Sequence, residues 1–211
     1  MRFERFHMLG SAAMAGFLLL SGCSSDTPPP AETKVEKKKP AVPTGPVTGL
    51  TAYYEMFKVA RTLAPDLQAA SLTGNDVEGV KSEEGKYAMW TAVFVSASMK
   101  QATTFTYSTV EQGTTLKGVN NAGSVPWSGP TQAATPFANS DFSVDSDAAY
   151  KTAAAKAGDW LTKNADKPIT IFALGNAATF PAPMWYIRWG TKTGGFAVYV
   201  NASTGAVFGG K

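Results

Sequence analysis

Side chains that commonly perform catalysis are scarce in this sequence of 211 residues. It contains one histidine, His7, and one cysteine, Cys23, and both lie near the N-terminus. We expect the segment with His7 to be cleaved off during export, which leaves the mature chain without an imidazole. Ser-His-Asp, Cys-His and histidine-zinc chemistry are then excluded, and the sequence has no glycine-rich phosphate loop. The sequence therefore predicts a protein that is not an enzyme and that binds no metal and no cofactor.

Carboxylates are the remaining groups that could do chemistry. Asp141, Asp145 and Asp147 form a D-x-x-x-D-x-D cluster. Its oxygens suit Ca²⁺, but the glycine and the terminal glutamate of an EF-hand loop are missing. We interpret the cluster as helix caps and leave calcium binding open. Glu83 and Glu84 precede Gly85 in what looks like a solvated turn, and a glycosidase pair that involves them and Asp76 stays open. A hydrolase that uses only carboxylates ranks third, after the two binding functions given below.

Three other side chains are better candidates for recognition. Trp127 lies in the loop VPWSGP, where two prolines lower the entropy lost on docking. Tyr186 and Arg188 alternate with apolar residues along a predicted strand, so they point to the face opposite the core. We predict that Trp127, Tyr186 and Arg188 bind a partner. The alternatives are that Trp127 fills a gap in the core and that Tyr186 and Arg188 belong to an ordinary solvated surface.

The first 22 residues have the composition of an export signal. Arg2 and Arg5 precede an apolar run over residues 9–20. A helix needs about 20 residues to cross a bilayer, and this run is shorter. The run ends at Leu-Ser-Gly-Cys, residues 20–23, which resembles the lipobox of bacterial lipoproteins. The resemblance implies that the thiol of Cys23 carries diacylglycerol and that Cys23 becomes the first residue of the mature chain.

The lipobox resemblance also implies where the protein resides. A lipidated Cys23 anchors the chain to a membrane of the cell envelope without spanning it, since each buried CH₂ contributes about 0.8 kcal/mol. Ser24 follows the cysteine, and serine there permits transfer to the outer membrane in Gram-negative lipoproteins. We therefore expect the N-terminal lipid to make the membrane a partner.

Residues 23–49 are predicted to form the lipidated end and a disordered tether. The stretch is rich in Pro, Lys and small polar residues and has no apolar period. Fully extended as polyproline II, the 25 residues from position 24 to 48 would reach roughly 78 Å. The net charge of +3 for the whole chain is too small to indicate nucleic acid as a partner.

The remaining chain shows an internal repeat. Apolar residues beginning at Tyr53 and at Tyr150 follow the same helical spacing and fall on one helix face. Strand-like alternation follows both helices, and a Met-Trp pair recurs at an offset of 95. We predict an α+β fold of two helix-on-antiparallel-sheet repeats. The predicted segments are the signal peptide 1–22, the tether 23–49, the first repeat 50–118, a Gly/Pro-rich connection 119–144 and the second repeat 145–211.

The C-terminal stretch resembles the strand portion of a PepSY-like domain. The resemblance is carried by Met-Trp-Tyr at residues 184–186, Gly-Gly at residues 194–195 and Asn-Ala-Ser-Thr-Gly at residues 201–205. The family tends to have aspartate at the position of Asn201, so this position departs from the pattern. The resemblance implies a PepSY/cystatin-like fold, an exported compartment and a role as a binding or inhibitory unit, and it identifies no catalytic residue.

These observations together predict a non-enzymatic, lipid-anchored envelope protein. It is expected to bind a peptide or protein partner, and peptidase inhibition is one form that such binding takes in the family it resembles. The alternative is a structural lipoprotein that associates with peptidoglycan or a surface glycan through exposed aromatic residues.

Overall fold

Eight strands and three α-helices form the part of the chain that the computed structural model describes, residues 42–210. The helices are α1 (Gly49–Ala60), α2 (Ser146–Lys156) and α3 (Gly158–Lys163), with a short 3₁₀ helix at Asn139–Asp141. The strands are β1 (Gln68–Asn75), β2 (Met89–Ser96), β3 (Gln101–Ser108), β4 (Gly118–Pro126), β5 (Ile169–Gly175), β6 (Met184–Trp189), β7 (Phe196–Asn201) and β8 (Val207–Gly210). The predicted signal peptide, Cys23 and the tether up to residue 41 lie outside the described residues. None of the described helices is long and apolar enough to cross a membrane.

All eight strands belong to one antiparallel sheet in the order β4-β3-β2-β1-β5-β6-β7-β8. The two halves of the sheet are joined where β1 pairs with β5. The prediction of two PepSY/cystatin-like helix-on-sheet repeats, residues 50–118 and 145–211, is therefore wrong, because the strands form a single continuous sheet and the helices are few. Sequence periodicity indicates which side of a strand is buried, but it does not indicate which other strand satisfies an open edge.

The edge strand β4 contains a bulge. It occupies the start of the stretch that was predicted as a Gly/Pro-rich connection. Thr104 of β3 lies opposite Gly123, whereas Phe105 lies opposite Asn121, so Ala122 is an extra residue in β4. Gly123 has a φ of 115°, a left-handed conformation that favours glycine.

One face of the sheet is covered by helices. α1 lies against β1 to β4, and α2 lies against β6 to β8. Apolar side chains alternate along the central strands and face these helices, among them Trp90 in β2 and Trp185 in β6, both fully buried. Tyr53 of α1 is also fully buried, and Tyr150 of α2 is half-buried against Trp189, with ring centroids 6.3 Å apart. The core therefore lies between the helices and this face.

The N-termini of α1 and α2 meet and share one carboxylate. Oδ1 of Asp145 accepts the backbone N–H of Ser146 at 2.7 Å and that of Leu50 at 2.8 Å. The hydroxyl of Ser146 accepts the N–H of Gly49 at 2.7 Å. Because a helix N-terminus carries partial positive charge, one anion placed between two such ends stabilises both.

Capping accounts for the whole D-x-x-x-D-x-D cluster. Besides the two bonds to Asp145, Asp147 accepts the N–H of Ala148 at 2.8 Å, and Asp141 accepts the N–H of Ala138 at 2.9 Å. Among the described residues, no group of three or more His, Cys, Asp or Glu side chains is arranged to hold a metal ion.

The segment that enters α1 is held on the core. Val47 and Tyr87 exchange two backbone hydrogen bonds of 3.0 Å, and the indole N–H of Trp90 donates to the carbonyl of Val47 at 3.0 Å. Val42 packs against the same core. The folded body thus begins ahead of Gly49, within the last residues of the predicted tether. In the second half, the indole of Trp185 similarly donates to the carbonyl just before the cap of α2, at 2.8 Å.

We expect Asp145→Ala to lower the free energy of unfolding by about 2 kcal/mol. The loss of one N-cap costs about 1 kcal/mol, and this substitution removes a capping carboxylate from both α1 and α2. Chemical denaturation at neutral pH measures the change. The control is Asp147→Ala, whose carboxylate bonds only within its own helix turn in the described structure and should cost less. Equal losses in the two variants would contradict the shared cap.

Candidate functional site

The sheet face opposite α1 and α2, called the open face here, is almost free of charge. Within the eight described strands, Arg188 is the one charged side chain. Solvated sheet faces and edges are normally kept soluble by lysine and glutamate. This face instead carries hydroxyl, amide and aromatic groups.

A row of residues that are paired from strand to strand crosses the open face from one edge of the sheet to the other. Cross-strand register places its members opposite one another in all eight strands. In strand order they are Asn120, Thr106, Thr91, Thr73, Ala173, Tyr186, Tyr199 and Gly209. With strands about 4.8 Å apart, the row is roughly 34 Å long. Three threonines stand side by side in one half, and two tyrosines in the other.

The aromatic half of this row forms a groove. The rings of Tyr186 and Tyr199 stack with centroids 4.8 Å apart and an interplanar angle of 28°. Phe180 lies 5.3 Å from Tyr199, and Phe208, which is 49% exposed, lies 5.7 Å from Phe180. We call the adjoining depression of about 300 Å³ the tyrosine groove. The side chains that line it are uncharged, and they include Tyr186, Tyr199, Phe180, Met184, Ala133 and Ala134.

The tyrosines of the groove and Arg188 differ in their position and in the hydrogen-bonding groups that they carry. Burial, followed by the neighbouring Tyr186, raises the pKa of Tyr199, so its hydroxyl stays protonated at neutral pH and can donate a hydrogen bond. Arg188 lies on the same face and strand as Tyr186 but does not line the groove. Its Nε donates to the hydroxyl of Thr170 at 3.1 Å.

Trp127 lines a separate groove of about 700 Å³ together with Lys100, Pro126 and Pro130. The indole is half-buried, and its backbone N–H donates to the carbonyl of Lys100 at 2.9 Å. The structure therefore brings Tyr186 and Arg188 onto one strand face, as the alternation predicts, but it does not bring Trp127 to them.

Asp66 fixes the turn between β2 and β3 that supports Trp127. Its carboxylate accepts the Ser96 hydroxyl at 2.7 Å, the Ser98 backbone N–H at 2.8 Å and the Ser98 hydroxyl at 2.9 Å. These bonds, with the Ser96 hydroxyl first, lower the pKa of Asp66 from 3.8 to about 2. The turn holds Lys100 in a left-handed conformation with a φ of 52°.

A carboxylate cluster lies elsewhere, in the connection between β1 and β2. Asp76, Glu83 and Glu84 line a small depression of about 220 Å³. Asp76 accepts the hydroxyl of Ser82 at 2.7 Å, and Glu83 pairs with Lys81 at 3.1 Å. The cluster thus consists of three exposed carboxylates, of which Asp76 and Glu83 have hydrogen-bonding or ionic partners.

Sequence reasoning missed Tyr199 and Phe180. The structure places Tyr199 directly opposite Tyr186, because residues 190–195 connect β6 to β7. A tight two-residue turn at Gly194-Gly195 would instead pair Tyr186 with Ser203, so the hairpin predicted from the glycines does not find Tyr199. Phe180 lies in an irregular loop between β5 and β6, and no periodic pattern points to it.

Comparison with known proteins identifies no family for this chain. No protein-family model matches it, so the PepSY-like resemblance has no family match behind it, and no curated protein matches its sequence. Among solved structures, the chain is similar to a protein of Clostridium difficile 630 described as a "putative lipoprotein". The two are 9% identical with a TM-score of 0.44, and the match covers 76% of this chain and 91% of that one.

We expect Asp66→Asn to change how stability depends on acid. A carboxylate whose pKa falls on folding stabilises the folded state above its unfolded pKa, and this contribution is lost as the pH falls from about 4 to about 2. Asp66→Asn should therefore be less stable than wild type at pH 7, and the gap should close over that window. The midpoints of urea unfolding at neutral and at acid pH measure this difference in stability between variant and wild type. Glu78→Gln, an exposed carboxylate between β1 and β2, controls for charge, and a gap independent of pH would refute the assignment.

Proposed function

We propose that this protein is a lipid-anchored, non-enzymatic component of the bacterial envelope that binds a protein partner at the tyrosine groove. The observation that carries the proposal is the stacked pair Tyr186 and Tyr199 beside an uncharged groove on an exposed sheet face. Tyrosine and methionine are enriched at protein interfaces, and charged residues are depleted at the centres of such interfaces.

The size and lining of the groove favour an apolar side chain from the partner. A volume of about 300 Å³ accommodates one or two large apolar side chains. Met184 lines the groove but is only 1% exposed, so it supports the surrounding side chains and offers a partner almost no surface of its own. The lining has few polar side-chain groups. They are those of Ser71 and Asn176 and the hydroxyls of the two tyrosines. The partner is therefore expected to insert a leucine-sized or phenylalanine-sized residue.

The anchor in this proposal is the lipid on Cys23. Its support is the lipobox resemblance of residues 20–23 and the apolar run before it. Acyl chains on one residue hold the folded body at a membrane without a spanning helix, which leaves its surfaces free to meet other envelope proteins.

A second candidate function is association with a neutral glycan, and a separate observation favours it. Thr73, Thr91 and Thr106 stand side by side in the row that leads to the stacked tyrosines. Hydroxyl groups beside an aromatic ring can bond sugar hydroxyls while the ring covers an apolar sugar face. A glycan strand would lie along the row, across the strands, whereas a protein side chain would enter the tyrosine groove alone.

Binding measurements with matched variants separate these two functions. We expect Tyr186→Ala and Tyr199→Ala each to weaken binding of a partner isolated from envelope extracts by about tenfold or more, since each removes half of a central aromatic pair. Tyr54→Ala, on the helix side of the molecule and 43% exposed, should bind like wild type. Partner affinity that is equal in all three variants would exclude the tyrosine groove.

The threonine row has its own test. If a glycan is the ligand, Thr91→Val and Thr106→Val should reduce co-sedimentation with purified peptidoglycan, because valine keeps the shape of threonine and removes the hydroxyl. If a protein is the ligand, the same variants should keep wild-type affinity for it. Wild type that stays in the supernatant excludes peptidoglycan binding.

We expect Cys23→Ser to release the protein from the membrane fraction. The substitution removes the sulfur that would carry diacylglycerol, and with it the free energy of about 0.8 kcal/mol for each buried CH₂. Mass spectrometry of the mature N-terminal peptide and fractionation of cells measure the outcome. An unmodified cysteine in the wild-type chain, or equal membrane retention of both forms, would disprove lipid anchoring.

A further inference from the structure

The edge strand β4, which ends next to Trp127, carries no charged side chain. Residues 118–140, which contain β4 and the loop after it, include no charged side chain. Val125 is 62% exposed, and Met99 in the adjoining turn is 43% exposed. Exposed edge strands usually carry lysine, which keeps them in water. Apart from the polar groups of Asn120, Asn121 and Ser124, this edge therefore lacks the charged side chains that keep most edge strands in water.

These side chains are held at one end of the molecule, called the Trp127 end here. Val125 lies opposite Ala102 in β3, and the backbone N–H of Trp127 bonds to the carbonyl of Lys100. Met99 and Lys100 occupy the turn that precedes β3. Trp127 and Lys100 line the same groove, and Val125 and Met99 are near them along the chain. The nearby carboxylate of Asp66 is bonded to the Ser96 and Ser98 groups of the same turn.

We infer that the Trp127 end contacts the headgroup layer of the membrane that holds the lipid of Cys23. Tryptophan is favoured at the membrane interface, where one side of the ring is apolar and its N–H stays hydrated. Lysine can extend its ammonium to lipid phosphates while its methylenes remain among apolar groups. The edge strand carries no carboxylate, so no acidic side chain of β4 would face the lipid phosphates.

This inference rests on the proposed anchoring, which brings the membrane within reach. Val42 packs beside the first residue of β4, since its side chain lies 4.0 Å from the point that a Cβ on Gly118 would occupy. Trp127 lies just beyond the other end of that strand. A nine-residue strand is roughly 27 Å long from its first to its last residue. The 18 residues from 24 to 41 can span at most about 60 Å.

The anchor length therefore permits the folded body to stand on its Trp127 end while Cys23 is held in the bilayer. Because both are tied to one membrane, the local concentration of lipid is high and a weak contact is sufficient.

Fluorescence quenching of the full-length, acylated protein in vesicles tests the inference. The vesicles contain phosphatidylcholine and phosphatidylglycerol, and in a parallel set the phosphatidylcholine is brominated so that it quenches nearby indoles. Three of the five tryptophans, Trp90, Trp185 and Trp189, are at most 4% exposed. Trp127→Phe removes the proposed reporter, and Trp160→Phe removes the other half-buried indole as the matched control.

We expect brominated lipid to reduce the emission of wild type and of Trp160→Phe, and to leave that of Trp127→Phe unchanged. Val125→Glu should abolish the quenching, whereas Leu116→Glu, at an exposed site before the far end of β4, should retain it. Equal emission of acylated wild type in both kinds of vesicle overturns the inference and leaves this end free for a protein partner. A mass spectrum without acylation of Cys23 overturns the anchoring proposal, and this inference with it.

Discussion

The short pairing between β1 and β5 is the constraint on which the rest of this structure depends. Without it, each half of the chain would be a four-stranded antiparallel sheet with an unsatisfied edge at the strand that follows its helix. Backbone groups at such an edge must find partners, and here each half supplies them to the other. The union also makes the open face continuous, so that the threonines of β1 to β3 and the tyrosines of β6 and β7 lie in one row.

A second junction, on the helix side, reinforces the first. The carboxylate of Asp145 and the hydroxyl of Ser146 tie the start of α1 to the start of α2. Gly49 is required at this point, because a Cβ there would approach the ring of Trp185 to 2.8 Å. The two layers of the molecule are therefore joined near the same place, the sheet by backbone pairing and the helices by a shared cap.

The sequence predicts the parts of this fold that have a strong apolar period. The buried faces of β2 and β6 and the capping by Asp145 are visible in the pattern. β1 and β4, with the sequences QAASLTGN and GVNNAGSVP, are not, because small and polar residues dominate them and their neighbours in the sheet stabilise them. For the site, alternation places Tyr186 and Arg188 on the open face, but the stacking partner Tyr199 depends on hairpin register, and Phe180 depends on tertiary packing alone.

The bulge in β4 also affects whether this edge of the sheet can pair with a second copy of the chain. A charge-free edge strand invites a second chain to extend the sheet. At Ala122 the pleat is interrupted, and the N–H of Gly123 already donates to the side chain of Asn121 at 2.8 Å. A second strand that pairs with this edge would therefore find the regular series of backbone donors and acceptors interrupted. The bulge thus disfavours fibril-like extension of the sheet, a role that lysine side chains have on other edge strands.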